Sequence, residues 1–147
     1  MAHLCISLTI LCCTALIFSE SLQMKPNCSQ LRKYGLRGNL RERLSMAILA
    51  KVPPEALSGS LKYDCSLEGM AGLILEENGG TGGCESALQI TQLNYEIESE
   101  PGVKLRTIAE GAILAWQDHF RSLGTKKRFG CNYIQLYGMH KFVCLFK

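Results

Sequence analysis

The sequence predicts an α+β domain: helices packed on a small antiparallel sheet, with disulfides holding the layers. Three observations predict it. Two segments in the first half carry apolar residues at helical spacing, and a third follows a weakly patterned middle. The stretch 128–146 holds two short apolar-alternating runs around a glycine. Helices, then a short sheet at the end, are the pattern of helices laid on an antiparallel sheet.

The first 21 residues stand apart from that domain. Leu4 to Phe18 is an uncharged apolar run, and Ser19 and Ser21 offer small residues for a signal peptidase, so cleavage after Ser21 is expected. The run is short for a membrane span. No Lys or Arg precedes it, and a retained anchor is the competing reading. No later stretch approaches transmembrane length, so no stable membrane insertion is expected after processing. Residues 22–147 then form one domain, long enough for a real core.

Processing removes Cys5, Cys12 and Cys13 and leaves Cys28, Cys65, Cys84, Cys131 and Cys144. An odd count in an exported chain means one free thiol or one bridge to another molecule, with two internal bridges. Spacing does not say which cysteines pair. Of the 13 acidic and 16 basic residues only Glu20 is lost, so the balance becomes +4. That is mild. Lys126-Lys127-Arg128 is the one dense basic cluster and borders an apolar run, the place of an aggregation gatekeeper. Nucleic-acid binding needs a wider basic face with stacking aromatics, and none is present.

In order, residues 22–30 are a short leader with the sequon Asn27-Cys28-Ser29, a glycosylation candidate at Asn27. From Leu31 to Ala50 the chain reads as helix. Leu36, Leu40, Leu44 and Ile48 make one apolar ridge, and Arg37, Arg41, Glu42 and Arg43 cover the other face. Pro53-Pro54 ends it, and Glu55 to Ser60 is a loop. Leu61 to Ala71 is the organising stretch. Asp64 is a good N-cap, Glu68 suits the positive end of a helix, and Leu67, Met70, Ala71 and Ile74 give an apolar face. This second helix runs from about Ser66 to Glu77 and stops at Asn78-Gly79-Gly80-Thr81-Gly82-Gly83. That glycine run closes a helix and lacks the Gly-Lys-Ser/Thr ending, so it is no phosphate loop.

Leu88, Ile90, Leu93, Tyr95 and Ile97 alternate loosely, as a short strand does. Glu96, Glu98 and Glu100 follow as an acidic patch without the further oxygen ligands calcium requires. Thr107-Ile108-Ala109-Glu110 has the form of a capping box. It opens a third helix lined by Ile108, Ala112, Ala115, Trp116, Phe120 and Leu123, closed by Gly124. Arg128 to Leu136 and Lys141 to Phe146 are strands around Gly138, with Phe129, Cys131 and Tyr133 on one face and Phe142, Cys144 and Phe146 matching them.

These pieces together resemble the cysteine-rich secretory protein superfamily (SCP or CAP domain), in the form secreted by parasitic nematodes such as hookworms. Arg37 to Ser45 resembles the family's His-Asn-x-x-Arg helix. Leu61 to Ala71 resembles its Leu-x-Tyr/Trp-Asp-Cys-x-Leu-Glu-x-x-Ala signature. Ile108 to Phe120 resembles the helix with a central Trp, and Phe129 to Tyr133 and Phe142 to Phe146 resemble the terminal Gly-Cys and Val-Cys strands. The resemblance implies an α-β-α sandwich. It also implies a cleft where two His and two Glu can hold a divalent metal, and here the sequence departs. Arg37 stands where the resemblance places the first His, a degenerate family-site position. The His-Tyr-Thr-Gln strand is missing, since 124–128 joins helix to strand directly. Leu93-Asn94-Tyr95 is the nearest match to Gly-Glu-Asn and lacks its Glu, and a cysteine common after the Gly-Cys pair is replaced around Leu136-Tyr137.

Only His119 and His140 survive processing, His119 as a boundary residue and His140 as a solvated turn residue. They make no set of three or four ligands at chelating spacing, so no metal or other cofactor is expected. No Ser or Cys stands beside a base with an orienting group, so no catalytic residue is named. The expectation is a secreted, non-catalytic SCP-like protein that binds another extracellular molecule, a host protein being the partner the nematode resemblance implies. The alternatives are a lipid- or sterol-carrying member and a degenerate metal-dependent hydrolase.

Overall fold

The computed structural model describes residues 26–53, 61–77 and 89–147. The expected signal segment, the 55–60 loop, the glycine run, Cys84 and Leu88 lie outside them. The chain begins with a 3-10 turn, Ser29–Tyr34, followed by α1 (Gly38–Lys51), β1 (Lys62–Tyr63) and α2 (Cys65–Glu76). Next come β2 (Thr91–Glu98), α3 (Leu105–Ala115), a 3-10 turn at His119–Ser122, β3 (Arg128–Leu136) and β4 (Met139–Phe146).

The strands form one sheet in the order β1-β3-β4-β2. β4 runs antiparallel to both neighbours, with Cys131 opposite Cys144 and Leu93 opposite the same residue on the other side. β1 is parallel to β3, so the sheet is mixed and not wholly antiparallel as the sequence predicts. β1 consists of two residues that carry no alternation to read.

Helices cover both faces. Leu67, Ala71, Ile74 and Leu75 of α2 pack on Val143 and Leu145. On the other face the ridge Leu36, Leu40, Leu44 and Ile48 joins Ile108, Ala112 and Ile113 of α3 over Phe129, Phe142 and Phe146. This is the α-β-α sandwich. It explains why β4 reads Phe-Val-Cys-Leu-Phe without a polar residue: a strand buried on both sides has no solvent face. Cys131 and Cys144 form a disulfide within the second core. Cys28 and Cys65 form another, tying the leader to the start of α2.

α2 lies unusually close to β3. A β-carbon on Gly130 would fall 2.6 Å from the Asp64 carbonyl oxygen and against the backbone amide of Glu68. Only glycine admits the helix there. Asp64 caps α2 as expected, its carboxylate accepting the Ser66 N–H at 2.8 Å.

Three helix boundaries differ from the sequence reading. The helix expected from Leu31 is broken: Arg32 has φ 50°, Gly35 is extended and α1 starts at Gly38. The buried Glu68 carboxylate takes the Leu36 N–H, a donor that a continuous helix would give to its own carbonyl. α3 starts at Leu105, before the expected capping box, with Lys104 at the N-cap and no side-chain cap. Glu110 instead pairs with Arg106 at 2.8 Å, one turn away. α3 also ends at Ala115. Trp116 then turns its indole N–H to the Asn94 carbonyl at 2.9 Å, and Phe120 sits in the separate turn.

Candidate functional site

The centre of the polar architecture is Glu68, whose side chain is fully buried. Its signal in the sequence is that of an acid near a helix start. Its role is different. One carboxylate oxygen accepts the Leu36 N–H at 2.6 Å and Arg41 Nη2 at 2.8 Å, and the other accepts Arg41 Nε and the Tyr63 hydroxyl, each at 2.6 Å. Arg41, expected on the solvent face, is 8% exposed and also donates to the Leu36 carbonyl at 2.7 Å. Burial pushes the Tyr63 phenol far above its ordinary pKa, and Glu68 adds to this. The hydrogen bond that Arg41 donates to Glu68 holds its guanidinium above its own ordinary value. Asn132 extends the network, its amide donating to the Glu68 carbonyl at 3.1 Å and the Tyr34 carbonyl at 2.7 Å. Through these bonds Tyr34 and Leu36 are held together as one wall.

That wall borders a cleft of about 680 Å³. Its other walls are the 99–105 connection and β3 and β4 near their shared turn. The size is that of a small-molecule site. Lys33, Arg37, Asn39, Ser99, Tyr133, Gln135 and His140 give it its polar groups, and Leu36, Leu40, Val103 and Leu105 its apolar ones. Two of these residues are cationic and none is acidic. The start of α1 borders the same space and adds the positive end of its dipole.

His140 is not the solvated turn residue the sequence suggests. It lies in β4, is 7% exposed, and both ring nitrogens are engaged. Nδ1 meets the Tyr133 hydroxyl at 2.8 Å and Nε2 meets Ser99 Oγ at 3.1 Å. Gln135 Nε2 donates to Ser99 Oγ at 3.2 Å. Burial pushes the Tyr133 phenol above its ordinary pKa while the nearby Arg37 guanidinium opposes this, so at neutral pH the phenol keeps its proton. A phenol that donates to Nδ1 places the imidazole proton on Nε2. In the opposite tautomer Nδ1 donates to the phenol oxygen and Nε2 accepts from the Ser99 hydroxyl, with the same contacts. Among the described residues no carboxylate bonds to the histidine, unlike a hydrolase triad.

The other sequence candidates fall elsewhere. Arg37 is exposed at the start of α1 and lines the cleft. Asn27 is exposed, its side-chain oxygen accepting the Ser29 N–H at 3.2 Å, and its neighbour Cys28 is bonded to Cys65. His119 is exposed in its turn and is not among the residues that line the cleft. Ser99, Tyr133 and Lys33 were invisible as site residues. A signal existed only for Tyr133: once Cys131 is set opposite Cys144, the register brings Gln135 opposite His140 and Tyr133 close by.

A divalent ion does not fit this cleft. Among the described residues no group of three or more His, Cys, Asp or Glu side chains converges. The one histidine present spends both nitrogens on neighbours, and Arg37 brings a fixed positive charge.

An α-β-α sandwich with a disulfide across the terminal hairpin and another at the head of α2 defines the class: an SCP/CAP-like domain. Solved structures of that class share the fold. Ancylostoma-secreted protein Ac-ASP-7 superposes with a TM-score of 0.53 at 15% identity, over 73% of this chain and 67% of that one. Its manganese-bound form gives 0.55 at 15% identity, over 74% and 68%. Hookworm platelet inhibitor gives 0.54 at 14% identity, over 76% and 70%. No curated protein sequence matches the chain. The chain belongs to the family of Ancylostoma-associated secreted protein related proteins, whose model matches residues 28–146.

Proposed function

We propose that this chain is an exported, non-catalytic recognition domain that binds another extracellular molecule through the cleft beside α1. The observation that carries the reading is the charge of that cleft: two cations and no carboxylate line it. Such a wall attracts an anionic partner and holds no pair of carboxylates for acid/base chemistry. The family's secreted character and the two disulfides support a partner outside the cell, and a host protein is the form this takes for a hookworm-like secreted family. The first 21 residues act as the export signal in this reading.

The test uses protein secreted from cells expressing the full-length sequence. Binding to host-cell surfaces is expected to disappear in K33E/R37E and to persist in R121E, a charge change on the exposed His119–Ser122 turn. Ester, peptide and phosphodiester substrates are expected to remain intact with or without added manganese. Turnover, or binding indifferent to K33E/R37E, overturns the reading.

A second reading has one observation of its own. Leu44, Ala47, Ala109 and Ile113 line a groove of about 380 Å³ between α1 and α3, mostly apolar, which favours lipid or sterol carriage. Lipid recovered by mass spectrometry from the secreted protein is the result that would select it.

A further inference from the structure

We infer that the partner group seated in the cleft is an acidic saccharide, its carboxylate or sulfate held by Arg37 and Lys33. The inference rests on the recognition reading and names its ligand. Three features of the cleft converge on it.

The first is an uncommitted cation. Arg41 spends its guanidinium on Glu68, and Arg128 pairs with Asp64 at 3.2 Å. Arg37 has no ion-pair or hydrogen-bond partner for its side chain among the described residues. It presents a planar fork suited to a carboxylate or sulfate. Lys33 lines the same space, its ammonium 4.4 Å above the Tyr34 ring and also in the field of the Glu76 carboxylate, so it is the secondary of the two cations.

The second is the supply of neutral hydrogen-bonding groups. Asn39 lines the cleft and its amide has no partner among the described residues. Gln135 gives one N–H to Ser99 and keeps its carbonyl oxygen for a ligand. Amides that donate and accept suit vicinal hydroxyls. Both side chains are exposed, so hydroxyls add bonds there that a ligand with charge alone does not make.

The third is Tyr137. It is 91% exposed at the tip of the β3–β4 turn and has φ 50°. Leu136 pairs with Met139, so Tyr137-Gly138 is a two-residue turn that needs positive φ at both positions. Asn or Gly fits its first position; a bulky aromatic there is strained. The turn is fastened to the cleft by Ser99 N–H donating to the Gly138 carbonyl at 2.7 Å. Tyr137 is not itself a wall of the cleft; one residue from that anchor, its exposed ring offers the apolar face of a pyranose a surface to stack on.

The test is calorimetric titration of the secreted protein with a heparin-derived tetrasaccharide and a sialylated trisaccharide. Neutral lactose, a tetraglutamate peptide and inorganic sulfate are the comparison probes. One acidic saccharide is expected to bind, with affinity falling as salt is raised, and lactose is not. R37A is expected to weaken binding about tenfold or more, R37K less than R37A, Y137N about fivefold, and R121A not at all. Circular dichroism of each variant separates loss of binding from loss of fold. Sulfate matching the saccharide in affinity means an adventitious ion only and overturns the inference. So does preference for the peptide, which leaves the recognition reading standing. Indifference to R37A and K33E/R37E alike, for every probe and for cell surfaces, sinks both.

Discussion

Replacing Glu68 by Gln keeps the side-chain volume and removes the charge, so it isolates the buried ion pair. The carboxylate takes four hydrogen bonds, and its side chain is fully buried. A carboxamide keeps one oxygen. Its NH₂ group, on either side, meets two donors: Leu36 N–H and Arg41 Nη2, or Arg41 Nε and Tyr63 O–H. The tyrosine hydroxyl can turn to accept; the guanidinium and the amide cannot. The Arg41 charge is left buried without its counterion, and breaking such a pair from one side costs about 3–5 kcal/mol. Urea unfolding followed by the fluorescence of Trp116, the sole tryptophan and 2% exposed, reads this directly. The midpoint is expected to fall by about 2 M, taking an ordinary slope for a domain of this size. R41M/E68L, which removes both charges, is expected to be more stable than E68Q, because no unpaired charge remains. A loss below about 1 kcal/mol for E68Q, or a double variant worse than the single one, refutes the reasoning.

Alkaline titration gives a second check. Burial raises the Tyr63 phenol, so the unfolded chain loses that proton near pH 10 while the folded chain keeps it. Its stabilising contribution is therefore complete below about pH 10 and declines above it, by up to about 1.4 kcal/mol per pH unit, and Y63F is expected to flatten that decline. The disulfides are expected to differ in worth. Cys28–Cys65 closes a separation of 37 residues and Cys131–Cys144 one of 13, which in the chain-entropy account gives about 4 and about 3 kcal/mol. Denaturant unfolding of C28A/C65A and C131A/C144A compares them, and equal or reversed losses count against the account. Y137N is expected to raise stability by about 1 kcal/mol through relief of the left-handed aromatic, measured by the same unfolding midpoint, while it lowers saccharide affinity. A destabilised Y137N protein shows that the ring supports the fold.

The parts of this structure legible in the sequence are those written in apolar periodicity. The Leu36–Ile48 ridge, the α2 face and the bounds of β3 follow from side-chain spacing alone, and the Asp64 cap from its chemistry. What escaped is what long-range polar contacts decide. Glu68 and Arg41 carry the pattern of surface charges on helices, and nothing local says that they meet across 27 residues and break the first helix. The Thr107–Glu110 pair has the form of a capping box, yet Arg106 claims the glutamate. β1 is too short to show a period and is defined only by its hydrogen bonds to β3, such as Lys62 N–H to the Lys127 carbonyl. The cleft was illegible for the same reason, since Lys33 and Arg37, Ser99, and His140 come from three separated segments that only the folded sheet brings together.

The central claim is that the space between the start of α1 and the β3–β4 turn is where this family member meets its partner. Amide NMR of the secreted protein, titrated with the extracellular ligand it binds best, locates that contact. The account predicts shifts at Gly35, Asn39, Ser99 and Gln135. Shifts confined to Leu44, Ala47, Ala109 and Ile113, with the cleft unmoved, contradict it.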